Sequence, residues 1–203
     1  MTKQSNGSKK HSGKKLIVAS KRLKGDADQL LASSGLLSIL DRHGEIKLSG
    51  SYPAGLMVNG DIDVHIVRKK MFTKAEIRKI LTSIIANTMF TSYFFGDWYK
   101  SGKDPNFPHG YYMGLKKVYH GQKWKVDLWF LDQAQQDRID RERLNIGDLR
   151  LTPAQKILIL RLKQYRNGLG ITMSGQRVYE AVLVNGVTTI AGFRKWIASH
   201  VRS

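Results

Sequence analysis

The stretch Ile46-Lys-Leu-Ser-Gly-Ser-Tyr-Pro-Ala-Gly-Leu-Met-Val-Asn-Gly-Asp-Ile-Asp-Val-His-Ile-Val67 decides the reading of this chain. A short apolar run (Ile46, Leu48) turns at Gly50-Ser51, and a loop with two more glycines, Gly55 and Gly60, follows. The end of the stretch alternates strictly, with Asp61, Asp63 and His65 on one side and Ile62, Val64 and Ile66 on the other. Period-two alternation predicts a half-buried strand. Two aspartates side by side on one strand face repel each other unless something positive lies between them. A divalent cation is the usual solution, since Mg²⁺ takes hard oxygen ligands from one or two carboxylates plus substrate phosphates. Gly50-Ser51 offers a bare backbone and a hydroxyl at a turn, the kind of place where N–H groups point at anions.

A second alternating run, Trp124-Lys-Val-Asp-Leu-Trp-Phe-Leu131, carries Asp127 opposite Val126, Leu128 and Phe130. Gly50-Ser51, nine intervening residues, Asp61-Ile62-Asp63 and then Asp127 on a later strand resemble the signature of the polymerase-β-like nucleotidyltransferase superfamily. The resemblance implies an α/β (α+β) nucleotidyltransferase fold, a mixed sheet flanked by helices, with a C-terminal helical segment closing the cleft. It implies two Mg²⁺ ions, with Mn²⁺ as an alternative, bound by Asp61, Asp63 and Asp127, and an NTP donor such as ATP. Gly50 and Ser51 would hold the β- and γ-phosphates, and Asp127 would serve the acceptor-side metal and accept a proton. In one respect the chain departs from the pattern: many relatives follow Gly-Ser with an Arg-Ala-Arg-Gly-like run, whereas Tyr52-Pro53-Ala54-Gly55 stands here. Other cations would have to stand in, and Lys156, Lys163 and Arg68 are the candidates for triphosphate or nucleic-acid contacts.

The 203 residues suffice for one domain with a real core, or one domain and a small appendage. The lack of cysteine excludes disulfides and thiolate metal sites and suits a reducing, cytoplasmic setting. No apolar run is long enough to span a membrane, and no hydrophobic leader is visible. The formal net charge of +18 points to a polyanionic partner. Residues 1–24 hold eight Lys/Arg and no acid, and residues 134–203 hold twelve against five, so the excess lies mostly at the two ends.

Residues 1–24, rich in Lys, Ser and Gly, read as a disordered basic arm whose Leu16-Ile17-Val18 could dock. Residues 25–133 read as the catalytic domain and 134–203 as the helical segment. Within the former, Asp26–Arg42 has helical spacing weakened at Ser33-Ser34-Gly35, with Gly44 as its stop. Thr73 and Glu76 form a capping box that opens a helix over about 74–90. Residues 91–110 read as a long aromatic loop. A loop of this length suggests a lid or binding loop, with Trp98 or Tyr99 to stack a base and with Phe94 and Phe95 packed on the sheet. Tyr111–Tyr119 and Trp124–Leu131 read as a hairpin turned at 120–123. Helices follow from Gln133, from Thr152-Pro153 to Gly168, from Ser174 to Val184 and from Thr189 to Val201.

No Walker loop, zinc set or nucleophile elbow is present. The expected reaction is transfer of an NMP from an NTP to an acceptor hydroxyl with release of pyrophosphate. A nucleic-acid acceptor, RNA first, fits the basic ends. The alternatives are a small antibiotic-type acceptor, a protein acceptor, or a decayed member that only binds nucleic acid. The sequence leaves the oligomeric state open.

Overall fold

The computed structural model of the chain describes residues 4–101 and 107–200, with side chains over 13–100 and 107–200. Helix α1 (Gln4–Ser33) and the short α2 (Leu36–Leu40) precede strands β1 (Glu45–Ser49) and β2 (Gly60–Arg68). Next come α3 (Lys74–Asn87), β3 (Ser92–Asp97), a single turn α4 (Trp98–Ser101), β4 (Tyr111–Tyr119) and β5 (Gln122–Asp132). The C-terminal part is helical: α5 (Gln133–Glu142), α6 (Pro153–Gly168), α7 (Gly175–Tyr179) continuing as a π-helical turn over Glu180–Val184, and α8 (Ile190–His200).

The described strands form one mixed sheet in the order β1-β2-β5-β4-β3, with β2 and β5 parallel and the other pairs antiparallel. Alternation sets what each face carries. Ile62, Val64 and Ile66 of β2, Val126, Leu128 and Phe130 of β5, and Met113 and Leu115 of β4 enter the main core. There they meet Ala27, Leu30 and Leu31 of α1, Leu36 and Leu40 of α2, and Ile77, Ile80 and Ile84 of α3. Helix α3 starts where expected, because the Thr73 hydroxyl and the Glu76 carboxylate cap each other's backbone N–H groups. Thr152 and Gln155 do the same for α6, with Pro153 in the first turn. The β4–β5 hairpin turns on two residues with positive φ, His120 at 48° and Gly121 at 71°, as a two-residue turn between twisted strands requires.

A second core lies beside the first. Ile159, Leu160 and Leu162 of α6, Val178, Tyr179, Ala181 and Val182 of the following helix, and Phe193 and Trp196 of α8 surround Leu56 from the loop between β1 and β2.

Two expectations are corrected here. The basic segment expected to be a disordered arm is helical from Gln4, and α1 runs through the expected boundary at 24/25 without a break. The reason is burial: Leu16 and Ile17 pack against the second core, and Gly13 lies so close to Ile157 that a Cβ there would meet its Cδ1 at 3.0 Å. Residues 1–3 and the side chains of 4–12, Lys9 and Lys10 among them, lie outside the described residues. The stretch 91–110 is not one loop either. Its first part is edge strand β3, paired to β4 from Ser92↔Lys116 to Asp97↔Tyr111, and α4 follows directly. Residues 102–106 lie outside the described residues.

Candidate active site

The polar face of the sheet brings the three aspartates together. Asp63 of β2 and Asp127 of β5 are direct partners in the parallel register, and Asp61 faces Lys125 one pair away. Side chains two apart share a strand face, so Asp61, Asp63, Lys125 and Asp127 all project the same way. Gly50, with φ 71°, turns the chain immediately after β1, and a Cβ on it would overlap Oδ2 of Asp63. Only glycine lets the backbone of this turn approach the carboxylate so closely.

The Gly-Ser loop is held from three sides. Ser20 of α1 donates to Gly55 O at 2.7 Å, Tyr52 donates through its hydroxyl to Asp28 Oδ1 at 2.6 Å, and Lys163 Nζ donates to Leu56 O at 2.8 Å. Lys163 is buried, and its ammonium lies 5.7 Å from the centre of the Tyr179 ring. Both cores and α1 therefore fix where the turn sits relative to the carboxylates.

Asp127 has a partner at each oxygen: Tyr112 donates to Oδ1 at 2.5 Å and Lys125 Nζ lies 2.8 Å from Oδ2. Asn59 donates to Asp61 Oδ2 at 2.5 Å. Burial, reinforced by the neighbouring charges of Asp127 and Asp61, pushes Asp63 up to about 7. Burial also raises Asp61, with Lys125 opposing and Asp127 adding to the shift. Burial lowers Lys163 to about 8, with Arg166 pushing the same way and Asp63 and Asp61 opposing. For Lys125 burial works against the charge, but the hydrogen bond and charge of Asp127 outweigh it and the net shift is upward. The centre is thus short of positive charge, and burial and crowding raise the proton affinity of Asp61 and Asp63.

Those three aspartates are an all-oxygen donor set of the kind a hard divalent cation takes. In their present rotamers, no three His, Asp or Glu side chains among the described residues converge on one ion. Lys125 and Tyr112 instead hold the two oxygens of Asp127, and Asn59 holds Asp61. The residue types and their shared face fit a cation, and Lys125 now occupies part of its electrostatic role.

The other expected residues divide. Ser51 sits at the turn beside Gly50, its carbonyl accepting from Leu56 N at 2.9 Å. Lys163 is in the centre, within the field of Asp61 and Asp63. Lys156 lies two turns earlier on the same side of α6, roughly 10 Å along the axis. Arg68 is not in the centre: it ends β2 five residues past Asp63, bonds Glu76 through both terminal nitrogens at 2.9 and 2.8 Å, and donates to the carbonyls of Lys70 and Met71. His65 shares the carboxylate face but is a satisfied polar residue. Its Nδ1 donates to Gln136 Oε1 at 2.8 Å, which leaves Nε2 to accept from the Ser49 hydroxyl at 3.3 Å. Burial lowers its pKa.

Lys125 and Tyr112 escaped the sequence reading. Lys125 is visible in hindsight, because it precedes Asp127 by two residues in an alternating strand. Tyr112 is not, because only the β4–β5 register brings it to Asp127. Trp98 and Tyr99, expected to be open to a base, are packed: Trp98 lies against Phe107 and Trp129 at 4.9 and 5.9 Å between ring centres, and Tyr99 against Tyr111 at 5.2 Å. Phe95, as expected, packs on the core, stacked on Tyr111 at 5.9 Å. Phe94 does not, and is 58% exposed.

No family model and no curated protein matches the chain. Solved structures do. A cytoplasmic RNA terminal U-transferase superposes with a TM-score of 0.51 at 16% identity, over 85% of this chain and 52% of that one. Cid1, an RNA terminal uridylyl transferase, superposes with a TM-score of 0.47 at 17% identity, over 72% of this chain and 40% of its own. The chain therefore spans about half the length of the structures it matches or less. The mixed five-stranded sheet of the described residues, with its flanking helices, has the fold of that terminal U-transferase structure.

Proposed function

We propose that the protein is a metal-dependent nucleotidyltransferase that moves an NMP from an NTP to the 3′-hydroxyl of a nucleic-acid acceptor, RNA first, and releases pyrophosphate. The observation that carries this reading is the in-register meeting of Asp63 and Asp127 on adjacent parallel strands, with Gly50 packed against Asp63. Such a crowd of like charges destabilises a protein that does not use it. Asp61, Asp63 and Asp127 would hold the Mg²⁺ ions. When bound, these neutralise charge on the attacking and leaving oxygens of an in-line displacement at phosphorus.

The chain's own groups do the rest. Gly50 and Ser51 receive the β- and γ-phosphates on backbone N–H groups and a hydroxyl. Lys163, held against Leu56 O, sets the loop and supplies positive potential in place of the missing arginines, and Lys156 extends that potential along α6. Asp127 takes the proton of the acceptor hydroxyl, for which Lys125 and Tyr112 must release it. The RNA acceptor is supported by the net charge of +18 and by the fold likeness to an RNA terminal U-transferase. The lack of cysteine suits action in the cytosol.

The test is to incubate the chain with Mg²⁺, each α-labelled NTP in turn, and either a 3′-hydroxyl RNA oligonucleotide or its DNA counterpart. Label on the RNA with matching pyrophosphate release is the expected result. A folded chain that releases no pyrophosphate from any NTP, with or without acceptor, would overturn the reading. The Lys125–Asp127 pair favours one second reading, a member that binds nucleic acid without turnover because the lysine has replaced the cation. That reading requires oligonucleotide binding that neither Mg²⁺ nor NTP changes.

A further inference from the structure

The carboxylate face of the sheet does not stop at Asp127. The registers place Ser49, Asp63, Asp127, Gly114 and Phe94 in one row across all five strands. The next row toward the open end is Asp61, Lys125, Lys116 and Ser92. At the far end of this face, α5 and a set of packed rings close the surface, with Trp129 and Leu131 against Ile139. Toward β4 and β3 it is open. Lys116 and Ser92 are exposed, Val118 is 62% exposed and Phe94 58% exposed.

Phe94 is therefore the strand aromatic of this face that is left open. It leans on the Tyr112 ring at 5.8 Å, and Tyr112 reaches over Gly114 to Asp127. A Cβ on Gly114 would meet the Tyr112 hydroxyl oxygen at 2.7 Å, so glycine keeps the row low between the carboxylates and the open ring. With strands about 4.8 Å apart, Phe94 stands roughly 10 Å from Asp127. The strand residues of β3 and β4 on this face include no acid.

We propose that this open surface, with Phe94 as its stacking ring and Lys116 as its phosphate contact, is the track for the last nucleotides of a single-stranded nucleic-acid acceptor. The inference rests on the nucleotidyl-transfer reading above and adds where the acceptor lies. An exposed ring beside a lysine, in line with the carboxylates, matches the two groups that every nucleotide presents, a flat base and an anionic phosphate. Base stacking is indifferent to sequence, so the track admits any strand and leaves the choice of NTP to the donor site.

The experiment uses the full chain, a 5′-fluorescein single-stranded RNA 12-mer read by anisotropy, and a fluorescent NTP analogue read separately. Phe94→Ala should weaken 12-mer binding roughly 5- to 100-fold, and Phe94→Trp should restore it. Lys116→Ala should weaken binding and reduce the slope of log K against log salt by about 0.7, the share of one single-strand phosphate contact. None of the three should change NTP binding. Because more than half of Phe94 is exposed, its truncation leaves the core intact. If wild type extends the 12-mer and Phe94→Ala binds it equally well, the track is wrong and the function stands. If Phe94→Ala loses NTP and RNA binding together, the ring is structural and the track is equally wrong. If wild type transfers NMP but neither binds nor extends the strand, the nucleic-acid acceptor falls and the track with it.

Discussion

On one face of β2 and β5, Ile62, Val64, Ile66, Val126, Leu128 and Phe130 are all but inaccessible to water and packed under three helices. On the other, the same two strands carry Asp61, Asp63, Lys125 and Asp127, like charges and an ion pair held in a confined space. The backbone is common to both, and a shift of one residue exchanges them. The apolar face supplies cohesion, and the polar face uses part of it to keep like charges together. Strain of this kind is expected where a site is prepared for a partner that brings the missing charge.

Mutations can separate the two faces. The largest effect should follow Asp63→Asn, which should reduce nucleotidyl transfer on the order of 10³-fold or more while the protein stays folded. Single-turnover label transfer beside a thermal melt would show whether the charge serves chemistry; unimpaired turnover would remove Asp63 from the site. On the opposite face, Phe130→Ala should leave the chemistry of folded molecules unchanged and cost about 3–5 kcal/mol of stability, measured by urea unfolding. A cost under about 1 kcal/mol would mean that the core is not the source of cohesion inferred for it.

A smaller effect concerns pH. Burial and the neighbouring carboxylates push Asp63 up to about 7 when folded, from the ordinary carboxylate value of about 3.8. Between about pH 4 and pH 7 the unfolded chain releases this proton while the native protein keeps it. The native state then binds more protons, and stability falls as pH rises through that window. The metal-free protein should show this decline in urea midpoints. Asp63→Asn should flatten it, and saturating Mg²⁺ should flatten it too by favouring the ionised carboxylates. A wild-type midpoint that rises across the same window would contradict the crowding of charge at Asp63.

Where the signal lay in neighbouring residues, the sequence was readable. The alternation in β2 and β5 and the caps at Thr73 and Thr152 are local patterns with local causes, and they appear in the structure as expected. Where the cause was a distant surface, it was not readable. Residues 13–24 carry too few apolar side chains to bury a core of their own, and Leu16, Ile17 and Gly13 instead pack against the C-terminal helices. Strand β3 was hidden because Tyr93 and Phe95 face the core while Phe94 faces the other way, so consecutive aromatics erase the alternation. The roles of Trp98 and Phe94 were exchanged for the same reason: which ring is covered depends on β4 and β5, not on its own neighbours. Lys125 was the one missed residue that local reasoning could have found.

The 30 residues of α1 measure roughly 45 Å end to end. Its Leu30 and Leu31 belong to the sheet's core, its Leu16 and Ile17 to the core of the C-terminal helices, and between them Ser20 holds the loop that carries the Gly-Ser turn. The helix acts as a splint across a joint. No cut near residue 24 would yield a free-standing catalytic piece, because the surfaces on both sides of the joint are finished by the same rod. Any rocking of the helical half against the sheet would be felt at Gly50, since the splint that would bend also grips the loop beside Asp63.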